Sequence, residues 1–229
     1  MRPGDVISYA EMCRLEQQSL QRGMNFRSRG HRSVILMSTR RGAPYRDRFE
    51  EGGRVLIYEG HDAPRSDSRD PKKVDQPNRT PRGTLTQNGK FAQAADVARS
   101  GSPPELVRVY EKVQTGIWVF NGVFALTGVW TEPDEHRLTY KFRLELREQH
   151  EEDLDPRPET DLEHSRLIPS PVKLEVWKRD KGRCQLCGSA DNLHYDHDLP
   201  FSKGGTSISA KNIRLLCRRH NLSKRDRIE

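Results

Sequence analysis

"LVRVYEKVQTGIWVFNGVFALTGVWTEPDEHRLTYKFRLEL", Leu106–Leu146, decides the class of fold. Apolar and β-branched residues recur there in short runs broken by turn residues, the pattern of strands rather than helices. Four segments read as strands: Leu106–Val113, Ile117–Phe120, Val123–Glu132 and Leu138–Leu146. Asn121–Gly122 predicts a tight turn between the second and third. The outcome is a domain rich in antiparallel sheet.

Working upstream, "SVILM" (Ser33–Met37) and "RVLIY" (Arg54–Tyr58) add two buried strands. "NGKFAQAADVARSG" reads as a helix packing through Phe91, Ala95 and Val97–Ala98, closed by Gly101. Residues 8–22 read as an amphipathic helix with Met12, Leu15 and Leu20 inward. His61–Gly83, rich in Pro, Asp and Arg, reads as a long loop. Residues 1–147 thus form an α+β domain. Residues 148–171, acidic and proline-bearing, read as a linker, and 172–229 as a second, small domain.

Of 229 residues, 33% are hydrophobic and 32% charged, with net charge +7. From Ser170 onward, thirteen Lys/Arg stand against seven Asp/Glu, so nearly the whole excess lies in the last quarter. A concentrated basic surface points to a polyanion, most often nucleic acid. No apolar run is long enough to cross a membrane, and the first residues lack a signal-peptide pattern. The expected setting is therefore cytoplasmic.

Two short-spaced pairs stand near the end: "CQLC" (Cys184, Cys187) and "CRRH" (Cys217, His220), separated by twenty-nine residues. In a cytosolic chain this spacing fits a tetrahedral Zn²⁺ site. The ion would replace a core that some 60 residues can barely supply. Cys13, alone, reads as a small buried thiol.

The interval between the pairs holds "YDHDLPFSKGG", then "AKNIRLL", then "CRRHNLSK". From Trp177 to Lys224 the chain resembles an HNH endonuclease of the ββα-metal type with a structural zinc. The resemblance implies roles. His197 would be the general base, where a neutral imidazole suits proton removal near pH 7. Asp196 and Asn221 would hold a catalytic Mg²⁺ or Mn²⁺ through hard oxygens. Asn212 would tie the loop that carries His197. His220, standing where many zinc-bearing relatives have a fourth cysteine, would be the fourth zinc ligand or a catalytic-metal ligand like the last His of other HNH variants, with zinc favoured because three cysteines otherwise lack a fourth partner. His194, by strand alternation on the face of Asp196, would assist phosphate binding or be a surface histidine. Lys203 and Arg218 are phosphate-contact candidates, with Lys211, Arg214, Arg219, Lys224 and Arg225 beside them.

The first domain, from Val6 to Leu146, resembles an SRA domain, the family that flips a modified cytosine out of duplex DNA. The likeness rests on "SVILMSTRRGAPYRD", "GGRVLIYEG", "QNGKFAQAADVARSGSPPELVRVYE" and the "WVFNGVFALTGVWTE…LTYKFRLEL" run. A flipped base needs flat side chains to stack on and polar groups to read its edge. Tyr45 and Tyr58 match the stacking aromatics, and Asp47 the acceptor for the cytosine amino group. Glu59 would read that edge, bond a hydroxymethyl group, or face solvent. Arg27, Arg29 and His31 lie in the loop matched to the minor-groove element. His61 reads as a loop residue, and Trp118, Trp130 and Trp177 as core.

Together the resemblances imply a twisted antiparallel sheet or barrel with helices, followed by a zinc-bearing ββα unit. They imply a bacterial, modification-dependent endonuclease acting on double-stranded DNA that carries 5-methylcytosine or 5-hydroxymethylcytosine. One cutting site per chain implies a homodimer. A non-catalytic reader with a structural zinc, and a nuclease indifferent to modification, are the alternatives.

Overall fold

A computed structural model of the chain describes residues 1–27, 32–65, 70–147, 167–199 and 205–224. The first part runs β1 (Val6–Ser8), α1 (Tyr9–Leu15), β2 (Met24–Asn25), β3 (Ser33–Met37), β4 (Arg48–Glu50), β5 (Val55–Glu59) and α2 (Gln87–Arg99). It continues through β6 (Leu106–Gln114), β7 (Ile117–Pro133) and β8 (Leu138–Leu146). The second part is α3 (Ser170–Asp180), β9 (Leu193–His197), β10 (Ile213–Cys217) and α4 (Arg218–Lys224).

The Leu106–Leu146 run forms three strands, not four. Asn121–Gly122 is no turn: β7 passes straight through it. The two residues sit where the β6–β7 register shifts between Val109 and Tyr110. This is a bulge, and Gly122 takes the positive φ of 119° that it requires. The reversal between β6 and β7 lies earlier, at Thr115–Gly116, where Gly116 has φ 79°. An Asn-Gly pair serves either geometry, because both demand φ > 0. Which one forms is set by the pairing on either side.

The sheet order is β2-β3-β6-β7-β8-β5-β4. β6 pairs one edge of β7, while β1 and then β8 share the other, β1 at Ile117–Val119 and β8 at Phe124–Pro133. The sheet is mixed rather than purely antiparallel, because β3 and β6 run parallel. Helix α2, capped by Thr86, lays Phe91 and Ala95 on a core with Ile35, Leu56, Phe124 and Phe142.

Helix α1 is shorter than the pattern suggested. Ser8 and Glu11 form a capping box at its start. Gln17, at φ 52°, turns the chain left-handed soon after Leu15. Leu20 therefore reaches the interior from a loop, whereas Leu15 is 59% exposed. Trp130 also faces outward in part.

Ser170 and Pro171, assigned above to the linker, open α3. Residues 148–166 lie outside the described residues. The β9–β10 hairpin and α3 share a buried apolar cluster with Val113 and Val119 of β6 and β7. At the same junction the Tyr195 N–H donates to the Gly4 carbonyl at 3.2 Å, and Trp177 Nε1 to Gln114 Oε1 at 2.8 Å.

Gly122→Ala would place a Cβ 3.0 Å from Leu146 Cδ1 in a left-handed backbone. We expect it to lower unfolding free energy by about 1–3 kcal/mol, read by denaturant titration.

Candidate metal centre and nucleic-acid interface

The zinc candidates converge. The ligand atoms of Cys184, Cys187, Cys217 and His220 all lie within 4.8 Å of one another. His220 Nδ1 is 3.4 Å from both Cys184 Sγ and Cys217 Sγ, and Cys187 Sγ is 3.8 Å from Cys217 Sγ. A zinc tetrahedron has S–S edges of roughly 3.8 Å and S–N edges of roughly 3.6 Å, given its bond lengths. The group can therefore hold zinc, with His220 as fourth ligand. Burial opposes ionisation of Cys184. Hydrogen bonds from the Cys217 backbone and His220 outweigh it and bring the thiol down to about 6.

The loop after β9 is stitched by Asn212. Its Oδ1 accepts from Leu199 N at 2.8 Å, and its Nδ2 donates to the carbonyls of Leu199 and Thr206, each at 3.1 Å. The Asn212 carbonyl accepts from Asp198 N at 2.8 Å. Gly205 is required here, since any Cβ would run into the Leu199 carbonyl. Lys203 lies outside the described residues.

Alternation along β9 sends its residues to two faces. His194 and Asp196 line an open cleft of about 950 Å³ together with Asn221, Arg218, Arg32 and Arg108. His197 leaves by the opposite face, and its Nε2 lies 2.9 Å from Ser207 Oγ. The structure thus brings Asp196 and Asn221 onto one wall, while His197 sits across the strand. His194 Nδ1 is 2.6 Å from Asp5 Oδ1, so the N-terminal segment holds it. Lys224, counted above as a phosphate contact, is instead 1% exposed. Its Nζ lies 2.6 Å from Asp196 Oδ2 and also donates to the His197 carbonyl. It stands one helical turn after Asn221, a spacing that already put both on one face of α4. Arg214 is paired with Asp198 at 2.6 Å.

The base-pocket candidates cluster around the ends of β5 and β8. Tyr45 stacks on His61, centroids 5.9 Å apart and 24° between planes, with Lys72 Nζ 4.7 Å from the Tyr45 ring. Tyr58 is fully buried in the main core. Asp47 accepts from Ser38 N at 3.2 Å and Glu59 N at 3.1 Å. Burial pushes its carboxyl up to about 7 against those two donors. Glu59 does not face solvent. It pairs across the strands with Lys141 at 2.8 Å and lies 3.6 Å from Arg137.

His61 lies in a loop, as expected, and is held there by side-chain and backbone bonds. Its Nε2 accepts from Met24 N at 3.0 Å, which fixes the neutral ring. Burial, then the nearby Arg22 charge, lowers its pKa to about 4. Asn88 clamps its backbone, accepting from His61 N and donating to His61 O, both at 2.8 Å. His61 and Arg137 gave no motif, and Lys141 stood in the quoted LTYKFRLEL run without an assigned role. The charged residues would be legible only once β5 and β8 were known to pair.

Arg27 donates from Nε to Glu105 Oε2 at 2.7 Å with its side chain 62% exposed. Arg29 and His31, next along the chain, lie outside the described residues.

No protein-family model matches the chain, and no curated protein matches it. Solved structures that the chain is similar to include the SUVH5 SRA domain in complex with hemimethylated CG DNA. It has TM-score 0.45 and 21% identity over 70% of this chain and 94% of that one. The SUVH5 SRA domain bound to fully hydroxymethylated CG DNA gives 0.40 and 20%, over 68% and 90%. Arabidopsis thaliana SUVH6 in complex with SAM gives 0.43 and 19%, over 78% and 29%.

Two outcomes are expected. The purified chain carries about one zinc per molecule, and chelation lowers its melting temperature. This is checked by elemental analysis and thermal scans. Asp47 keeps its proton in the folded state well above the ordinary 3.8. Its contribution is favourable below that value and is lost as pH rises through about 7. Asp47→Asn is therefore expected to gain stability relative to the parent as pH rises across this window. A constant offset would refute the assignment.

Proposed function

We propose that this chain is a DNA endonuclease directed by modified cytosine. The first domain would bind duplex DNA carrying 5-methylcytosine or 5-hydroxymethylcytosine and flip that base; the ββα unit would cut nearby. The observation that carries the nuclease reading is the convergence of Asp196, from β9, and Asn221, from α4, on one arginine-bearing cleft. Asn212 stitches the adjoining loop, and the Cys₃His group lies beside it.

The donor set fits a hard divalent ion: one carboxylate and one amide oxygen on a common wall. Asp196 and Asn221 would hold Mg²⁺ or Mn²⁺, which when bound neutralises charge on the leaving oxygen. His197, across β9 from that wall and with Nε2 within hydrogen-bond reach of Ser207, would have to turn toward Asp196 to take the proton from the attacking water. Arg218 would hold backbone phosphate by charge. Zinc would serve structure only, since four protein ligands leave it no open position.

In the reading domain Tyr45 would stack on the flipped base, with His61 yielding its place against that ring. Tyr58 would support the pocket from the core side. Asp47 near neutrality would present an acceptor or a donor to the base edge. Glu59, neutralised by Lys141 and Arg137, would act as a buried counter-charge rather than a direct reader. Two chains would meet on DNA to cut both strands.

One observation favours a second reading, a modified-DNA reader without catalysis. The Lys224 ammonium already pairs with Asp196, where the divalent ion would bind. Both readings are separated by incubating methylated and unmethylated copies of one plasmid with Mg²⁺ or Mn²⁺. Selective cutting of the methylated copy is expected. Equal cutting removes the modification dependence, and binding without cutting favours the reader. His197→Ala is expected to reduce cleavage by about 10²–10⁴-fold while DNA retention in a gel-shift assay is unchanged.

A further inference from the structure

The module that carries Asp196 and Asn221 is not hung on the sheet domain by chain connectivity alone. Lys173 of α3 is 1% exposed. Its Nζ donates to Glu111 Oε2 of β6 at 2.9 Å and to Asn121 Oδ1 of β7 at 2.6 Å. Asn121 Nδ2 closes the triangle on Glu111 Oε2 at 3.1 Å. Tyr195 of β9 donates its hydroxyl to the Lys173 carbonyl at 2.9 Å. The polar triangle is therefore bonded through α3 to the strand that bears Asp196.

Around it, Val113 and Val119 pack with Ile168, Val172 and Val176 in one apolar cluster. A second, separate tie is made by the N-terminal segment. Gly4 N donates to the Phe120 carbonyl of β7, and the Gly4 carbonyl accepts from Tyr195 N of β9. Asp5 then holds His194. The two attachments, one buried and charged and one through backbone, both run between β7 and Tyr195 of β9.

We infer that the Lys173–Glu111–Asn121 triangle sets the distance between the recognised base and the cut. This rests on the proposed function for its biological meaning. Its mechanical content, that the two parts behave as one body, stands on the contacts alone. A module held only by a flexible chain of about 20 residues would wander over roughly 25 Å, or about seven nucleotides of one strand. A mounted module has no such freedom and would cut at a fixed position. Lys173, Glu111 and Asn121 are positioning residues: none lines the cleft of Asp196, and none is offered as touching DNA.

The test uses the full chain and a duplex with a single 5-methylcytosine, with cut ends mapped by sequencing. The variant is Lys173→Met combined with Glu111→Gln, which removes both charges together and leaves no buried ion alone. The parent is expected to give one sharp cut position per strand, and the variant a spread several-fold wider with cutting retained. Calorimetry of the same proteins gives a readout independent of cleavage. The parent is expected to melt in one transition, and the variant in two. A broad cut window or two transitions in the parent would overturn the inference, as would a variant indistinguishable from the parent in both measurements. If the parent cuts no DNA, the proposed function fails and calorimetry alone decides the joint.

Discussion

Burying the ammonium of Lys173 is the constraint on which the arrangement of this protein turns. Taking a charge out of water is costly, and removing one member of a buried pair typically costs about 3–5 kcal/mol. The charge is accommodated only because β6 and β7 present Glu111 and Asn121 at the same depth. Burial would raise the Glu111 carboxyl; the adjacent Lys173 charge and the hydrogen bonds around it prevail and hold it below its ordinary value. Such a triangle admits few alternatives: slide α3 by one turn and a lysine is left unpaired in an apolar cluster. That selectivity, more than net stability, is what a buried ion pair contributes here.

The same logic explains how so small a C-terminal unit can be ordered. Two five-residue strands and a seven-residue helix bury little on their own. The unit draws on the Cys₃His group at one end and on Val113 and Val119 at the other. Asn212 supplies the remaining restraint by tying the loop after β9 to the 3-10 turn before β10. Asp196 is held by its backbone register opposite Arg214 in the hairpin and by the Lys224 ammonium from α4.

In the sheet domain, charge is likewise compensated at the ends of strands. Glu59 and Lys141 face each other because β5 and β8 are antiparallel in that register. Arg137 reaches in from the β7–β8 turn and also bonds Asp62 at 2.6 Å. Burial leaves Asp47 with a raised pKa against the two backbone N–H groups that it accepts from. The Asp47 carboxyl therefore changes protonation near neutrality.

Much of this was legible in the chain itself. Local spacing and chemistry identified the two ligand pairs of the Cys₃His group, the strand that carries Asp196 and His197, helix α2 and most of the large sheet. These follow from short-range rules: ligand spacing, period-two alternation and helix caps. What the tertiary structure decided was everything that depends on partners distant in sequence. It made Asn121–Gly122 a bulge, because β6 continues to pair on both sides of it. It put Leu15 outside, and turned Lys224 from a surface charge into the counter-ion of Asp196. It also made Lys173, one of thirteen basic residues in the last quarter of the chain, the joint between the two parts. A side chain's charge is written in the sequence. Whether water or another charge answers it depends on packing, and no local pattern encodes that.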